Sequence, residues 1–232
     1  MTRLFLAAVT LFVLLVAVIG AWPVLASGSK NDNWDGSPPA TSTDLDTSLE
    51  EQLKETYAEG IRYKQRAWKA EEKAALADTE KTKKRQLKRA QKDYNRAQNE
   101  FAEVLRRNPK DYKAANELGY VLRKQGEYEQ AIGSYNYALQ LYPEFDQAIE
   151  YRAEAFVAIG YYTEAKKAYM QLFRSNSELA EELMVSMRKW RDALDSGPQG
   201  PNARTRDFLE WLKSRENVSA FGEAVESTSS GW

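Results

Sequence analysis

The chain has 232 residues, 43% hydrophobic and 29% charged, with 33 basic side chains against 34 acidic ones. That composition suits a folded soluble protein of one domain, and a net charge of -1 leaves no whole-molecule field to draw it onto nucleic acid or anionic lipid. Histidine and cysteine are both absent, which excludes Cys–His and Ser–His–Asp nucleophile systems, Cys/His metal sites, disulfides and lipid-modified cysteine.

Arg3 opens the chain with one positive charge, and an apolar run follows from Leu4 to Ile19. Gly20 and Pro23 then weaken the helix, and Val24-Leu25-Ala26 places small residues three and one positions before a cut. This three-part layout predicts a signal peptide over 1–26, cleaved between Ala26 and Ser27. The rival is an uncleaved anchor, since Leu4 to Leu25 is just long enough to span a bilayer with Arg3 on the cytoplasmic side. Both readings put the remainder outside the cytoplasm, in a bacterial periplasm or anchored in the cytoplasmic membrane facing outward. The absence of stray thiols fits export. Residues 27–48 are rich in Gly, Ser, Asn, Asp, Thr and Pro, so they read as a disordered linker without enough apolar surface to offset its ordering entropy.

An elongated helical hairpin is expected over 49–111. Leu49, Leu53, Tyr57, Ile61 and Trp68 form one apolar stripe at helical spacing, with Thr47-Ser48 as its N-terminal cap. A second stripe runs Leu87, Ala90, Tyr94, Ala97, Phe101, Val104 and Leu105, and the turn falls near Ala77 to Thr79. From Lys81 to Lys92, overlapping the start of the second stripe, lies a basic run, Lys81, Lys83, Lys84, Arg85, Lys88, Arg89 and Lys92, with no acid among them. It is a candidate surface for an anionic partner, although charge runs are commonly solvated faces and Glu71, Glu72, Asp78 and Glu80 stand nearby. It lacks the interleaved aromatics that nucleic-acid binding needs.

A period of 34 residues then sets in: Pro109 and Pro143, Gly126 and Gly160, Tyr128 and Tyr162, Ala131 and Ala165, Tyr135 and Tyr169. Ala97 and Phe101 stand one step earlier than Ala131 and Tyr135, and Gly119 is matched by Ala153. Small residues at these points let two helices approach closely, aromatics fill the space between hairpins, glycines supply left-handed caps and Pro143 stops a helix. The pattern resembles the tetratricopeptide repeat. It is fullest over 112–145, with Leu118-Gly119, Leu122, Gly126-Glu127-Tyr128, Ala131, Tyr135, Ala138 and Pro143 in register. A second unit over 146–179 keeps Ala153, Phe156, Gly160, Tyr162, Ala165 and Tyr169, but has Arg152 for the usual leucine and Ser177 for the proline.

Helices over 180–216 are expected to cap the array, the last from Arg204 to Arg215, with a Gly/Pro loop before it and a flexible tail over 217–232. The resemblance implies an all-α fold: a short right-handed superhelical solenoid of antiparallel helical hairpins, with the stretched hairpin at one end and the capping helices at the other. It also implies a groove, lined by the first helix of each hairpin, that holds a protein or peptide. The family's groove positions fall on Lys113, Asn116, Tyr120 and Arg123, then on Gln147, Glu150, Glu154 and Val157. If the period continues, Glu181, Met184, Arg188 and Arg191 follow. Tyr120 and Glu154 stand where a clamp for a terminal carboxylate needs amide or basic groups, so that variant of the function is not implied.

The sequence thus points to an exported protein-interaction scaffold or assembly adaptor with no catalytic residues, metal or cofactor. The alternative is a membrane-tethered or self-associating structural component of the envelope.

Overall fold

The computed structural model describes residues 42–194 and 201–229, with side chains over 47–194 and 201–216. The chain divides into two units, Met1–Ala40 and Thr41–Trp232, and every described residue belongs to the second. The expected signal peptide, most of the linker and residues 197–200 of the Gly/Pro loop lie outside the described residues.

All described elements are helices: α1 Ser42–Ala75, α2 Glu80–Arg107, α3 Tyr112–Lys124, α4 Tyr128–Leu141, α5 Asp146–Ala158, α6 Tyr162–Ser175, α7 Ser177–Asp192 and α8 Ala203–Ser229. Each hairpin turn has a chemical cause. Gly126 (φ 84°) and Gly160 (φ 79°) adopt the left-handed conformation that ends α3 and α5. At the first, Glu127 N–H donates to the Leu122 carbonyl and Gly126 N–H to that of Arg123. At the second, Tyr161 donates to Phe156 and Gly160 to Val157, and the Phe156 and Tyr161 rings stack across the cap. Both are Schellman motifs, the second with the accompanying apolar contact. Thr79, Asp111 and Asn176 cap the starts of α2, α3 and α7 with side-chain oxygens.

The periodic residues are the packing residues. Ala97, Ala131 and Ala165 are fully buried, as are the rings of Phe101 and Tyr135, with Tyr169 nearly so. A Cβ added at Gly119 would stand 2.6 Å from the Tyr135 ring, so only glycine lets that ring lie against α3. Gly60 plays the same part on α1, where a Cβ would meet the Phe101 ring at 2.7 Å. Small residue and ring are 16 positions apart in the second hairpin (119 to 135) but 41 apart in the first (60 to 101), so the stretched hairpin hides Gly60 from the period.

Three differences from expectation follow. Helix α1 starts at Ser42, so 42–48 are helical rather than linker, and α8 runs to Ser229, through most of the expected flexible tail. Leu87 is 47% exposed and does not join the buried residues of the second stripe. At the other end Phe208 and Leu212 of α8 are fully buried, with Phe208 stacked on Tyr162 and Trp211 edge-on to Tyr169. No helix among the described residues is long and apolar enough to cross a membrane.

Candidate functional site

The first helices of successive hairpins lie side by side and leave a cleft of about 600 Å³ between them. Helix α3 contributes Tyr120 and Arg123, α5 contributes Glu150, Tyr151 and Glu154, and α7 contributes Glu178, Glu181, Glu182, Val185, Ser186 and Lys189. Four of the eight groove residues expected from sequence therefore converge here: Tyr120, Arg123, Glu150 and Glu154. The others do not. Asn116 and Val157 are buried at 1% and 3% exposure. Gln147 is exposed and its amide donates to the Tyr151 hydroxyl at 3.3 Å. Lys113 lines a separate cleft with Glu50, Lys54 and Tyr57 of α1.

The continued period fails on α7. Helix α5 starts 34 residues after α3 (146 against 112), but α7 starts only 31 after α5 (177 against 146). A single residue, Asn176, separates α6 from α7, receiving the end of one and capping the start of the next. The shortening moves the register by three. Met184 turns into the core, and Arg188 and Arg191 reach Glu216 of α8 at 3.3 and 2.7 Å. Only Glu181 of the four extrapolated residues lines the cleft. Glu178, Glu182 and Val185 were missed, though the acid density of Ser177 to Glu182 directly after a shortened junction was a signal for them.

The floor is a ladder of rings and cations. Trp68 of α1 donates its indole N–H to the Tyr120 hydroxyl at 2.7 Å. The Trp68 and Tyr120 rings meet edge to face at 5.7 Å, and Tyr120 and Tyr151 at 5.2 Å. Lys64 Nζ lies 5.0 and 5.1 Å from the Trp68 and Tyr120 ring centres and bonds the buried Glu117 carboxylate at 2.5 Å. The Arg123 guanidinium sits 5.2 and 5.3 Å from the Tyr120 and Tyr151 ring centres and is ion-paired with Glu154. Cations held against aromatic faces and paired with carboxylates are well compensated for their burial. Burial is the largest influence and opposes the Arg123 charge, but Glu154 together with Tyr135 and Tyr120 outweighs it and holds the guanidinium above its ordinary range.

Glu150 is the exception. It is 2% exposed, and its Oε2 has no hydrogen-bond partner. Burial and then the charge of Glu154 push its carboxyl up to about 8, with Arg123 pulling the other way. A carboxyl whose folded pKa exceeds its unfolded value makes the fold lose stability as pH rises, here from about 4.5 towards 8. Glu150→Gln is therefore expected to leave stability unchanged near pH 4.5 and to raise it by about 2 kcal/mol at pH 8, less than the full shift because a buried amide also needs partners. Urea unfolding at both pH values measures this, and an equal offset at both contradicts it.

The basic run is solvent-facing: Lys81, Lys83, Lys84, Arg85, Lys88, Arg89 and Lys92 are all exposed on α2. Arg89 joins Arg66, Lys69 and Lys73 of α1 around a small cleft floored by Asp93, so the basic face spans both helices. The α1 residues were missed because they are interleaved with acids in sequence and fall on the face of α2 only when the hairpin closes. No group of acidic side chains among the described residues comes together so as to hold a metal ion.

No curated protein matches the sequence. Among solved structures the chain is similar to the TPR2B domain in its pHsp70 complex of yeast Sti1, with TM-score 0.40 and 19% identity over 56% of this chain and 99% of that one. It is also similar to the TPR2AB domain in its pHSP90 complex of yeast Sti1, with TM-score 0.39 and 22% identity over 64% of this chain and 56% of that one. A third is pilF of Pseudomonas aeruginosa, with TM-score 0.38 and 19% identity over 80% and 95%. Residues 86–144 match the family described as Tetratricopeptide repeat, and the described helices have the fold of a tetratricopeptide-like solenoid.

Proposed function

We propose that this chain is an exported, periplasmic adaptor that binds a partner protein through the face built by α3, α5 and α7 and transforms no substrate. The observation that carries the reading is the open cleft in which Tyr120, Arg123, Glu150 and Glu154 from two repeats meet the first turns of α7. Rigid helices hold these side chains, half-buried aromatics offer anchors and charged groups ring them, which is the chemistry of a recognition surface. A chain without histidine or cysteine has few routes to a nucleophile. Export rests on the N-terminal layout of Arg3, the apolar run and Val24-Leu25-Ala26.

Two measurements test the two halves. A photocrosslinking residue placed in living cells at Val185, which is 37% exposed on the cleft wall, is expected to capture one defined protein. The same residue at Arg85 and Trp211 serves for comparison, and capture from Arg85 alone overturns the groove reading in favour of the basic hairpin. Mass spectrometry of the N-terminus is expected to find Ser27 first. An intact N-terminus in the membrane fraction favours a tethered component instead.

A further inference from the structure

Resting on the groove reading above, we infer that the acidic half of the cleft holds the ammonium or guanidinium group of a lysine or arginine on the partner protein. Five carboxylates line this cleft against two cations, Arg123 and Lys189. Arg123 is already engaged: it is ion-paired with Glu154 and lies against the Tyr120 and Tyr151 rings. Glu181 takes Arg188 at 3.0 Å. Glu178 and Glu182 make no ion pair among the described residues, and both are exposed at the rim.

The second observation is Glu150. It lines the same cleft, it is 2% exposed, and its Oε2 is without a hydrogen-bond partner. A buried carboxyl oxygen left unpaired is costly, and such a group persists where a ligand satisfies it. A carboxyl held above its ordinary range at the base of a cleft with acids on its rim is complemented by a donor that is also a cation, which favours its ionised form. A metal ion is a poor candidate, because no cluster of acids among the described residues is tight enough to coordinate one. A lysine or arginine side chain reaches such a base on a long apolar stem, which Tyr151 and Val185 can flank. The cleft volume of about 600 Å³ has room for one such side chain with waters beside it. Lys189, about two turns beyond Glu182 on the same α7 wall, repels a second cation there and leaves the acidic half as the place for the charge.

A library of random twelve-residue peptides displayed on phage, panned against the purified full chain at physiological salt, supplies the probe. Recovered peptides are synthesised, and their affinities measured by fluorescence anisotropy for the parent, for the double variant Glu178→Lys/Glu182→Lys and for Glu150→Gln. The reversed positions are exposed, so circular dichroism is expected to show the double variant folded. Peptides enriched in lysine or arginine are expected, with affinity about tenfold or more weaker for the double variant and for Glu150→Gln, and falling with added salt. Peptides that crosslink to α5 and α7 but carry no cation, or bind the variants as tightly as the parent, overturn this inference and leave the groove reading standing. Peptides that crosslink only outside α3, α5 and α7 overturn the groove reading as well, and a library yielding no binder counts against both.

Discussion

Gly119→Val is expected to destabilise the protein by about 3 kcal/mol or more, because overpacking a fixed core costs this much when neighbours cannot shift. The added Cβ would stand 2.6 Å from the Tyr135 ring, and that ring is fully buried against the second hairpin. The β-branch adds a rotamer penalty within α3. Gly133 of α4 is the internal control, since a Cβ there meets nothing within 4 Å. Gly133→Ala removes backbone entropy from the unfolded chain and is expected to gain about 0.5–1 kcal/mol. Urea unfolding of both variants separates the two cases. A Gly119→Val protein as stable as the parent means that the close approach of Tyr135 to α3 does not hold the hairpin together.

Arg123→Met is expected to cost about 3 kcal/mol, the scale found when one member of a buried pair is removed and the other is left. It strands Glu154 beside Glu150 and removes the cation between the Tyr120 and Tyr151 rings. Adding Glu154→Leu is expected to recover most of the loss, since an apolar pair of similar volume needs no compensation. A double-mutant cycle by chemical denaturation measures the coupling, and additive losses refute it. The pair sits where the second and third hairpins share a wall, so the same cycle reports whether the cleft floor is also the joint between repeats.

Recognition in the cleft depends on residues whose visibility in sequence differs greatly. Tyr120, Arg123, Glu150 and Glu154 fall at positions that the repeat marks in two successive units of equal length, so their convergence was legible. Glu178, Glu182 and Val185 were not, because one-residue joining of α6 to α7 breaks the period by three and exchanges which face of α7 meets the cleft. Three residues are most of a helical turn, enough to send Met184 into the core and Arg188 and Arg191 to α8. The acidic character of the cleft arises from that slip, where an unbroken period gave mixed charge.

The stretched hairpin follows the same logic. Lys64, Trp68 and Glu71 lie on α1, more than fifty residues from their partners Glu117, Tyr120 and Lys124 on α3. No local pattern links them, since the extra turns of α1 and α2 separate them in sequence without separating them in space. The exposed Leu87 shows the converse, a residue in good helical register that nothing covers.

The sequence by itself determined the helical hairpins and their turns, because glycine caps act within a turn of where they stand and units of equal length hold each small residue at a fixed distance from its ring. The tertiary structure alone decided which charges meet in the cleft. Side-chain direction on a helix changes by about 100° per residue, so a three-residue change at one junction redirects every group beyond it.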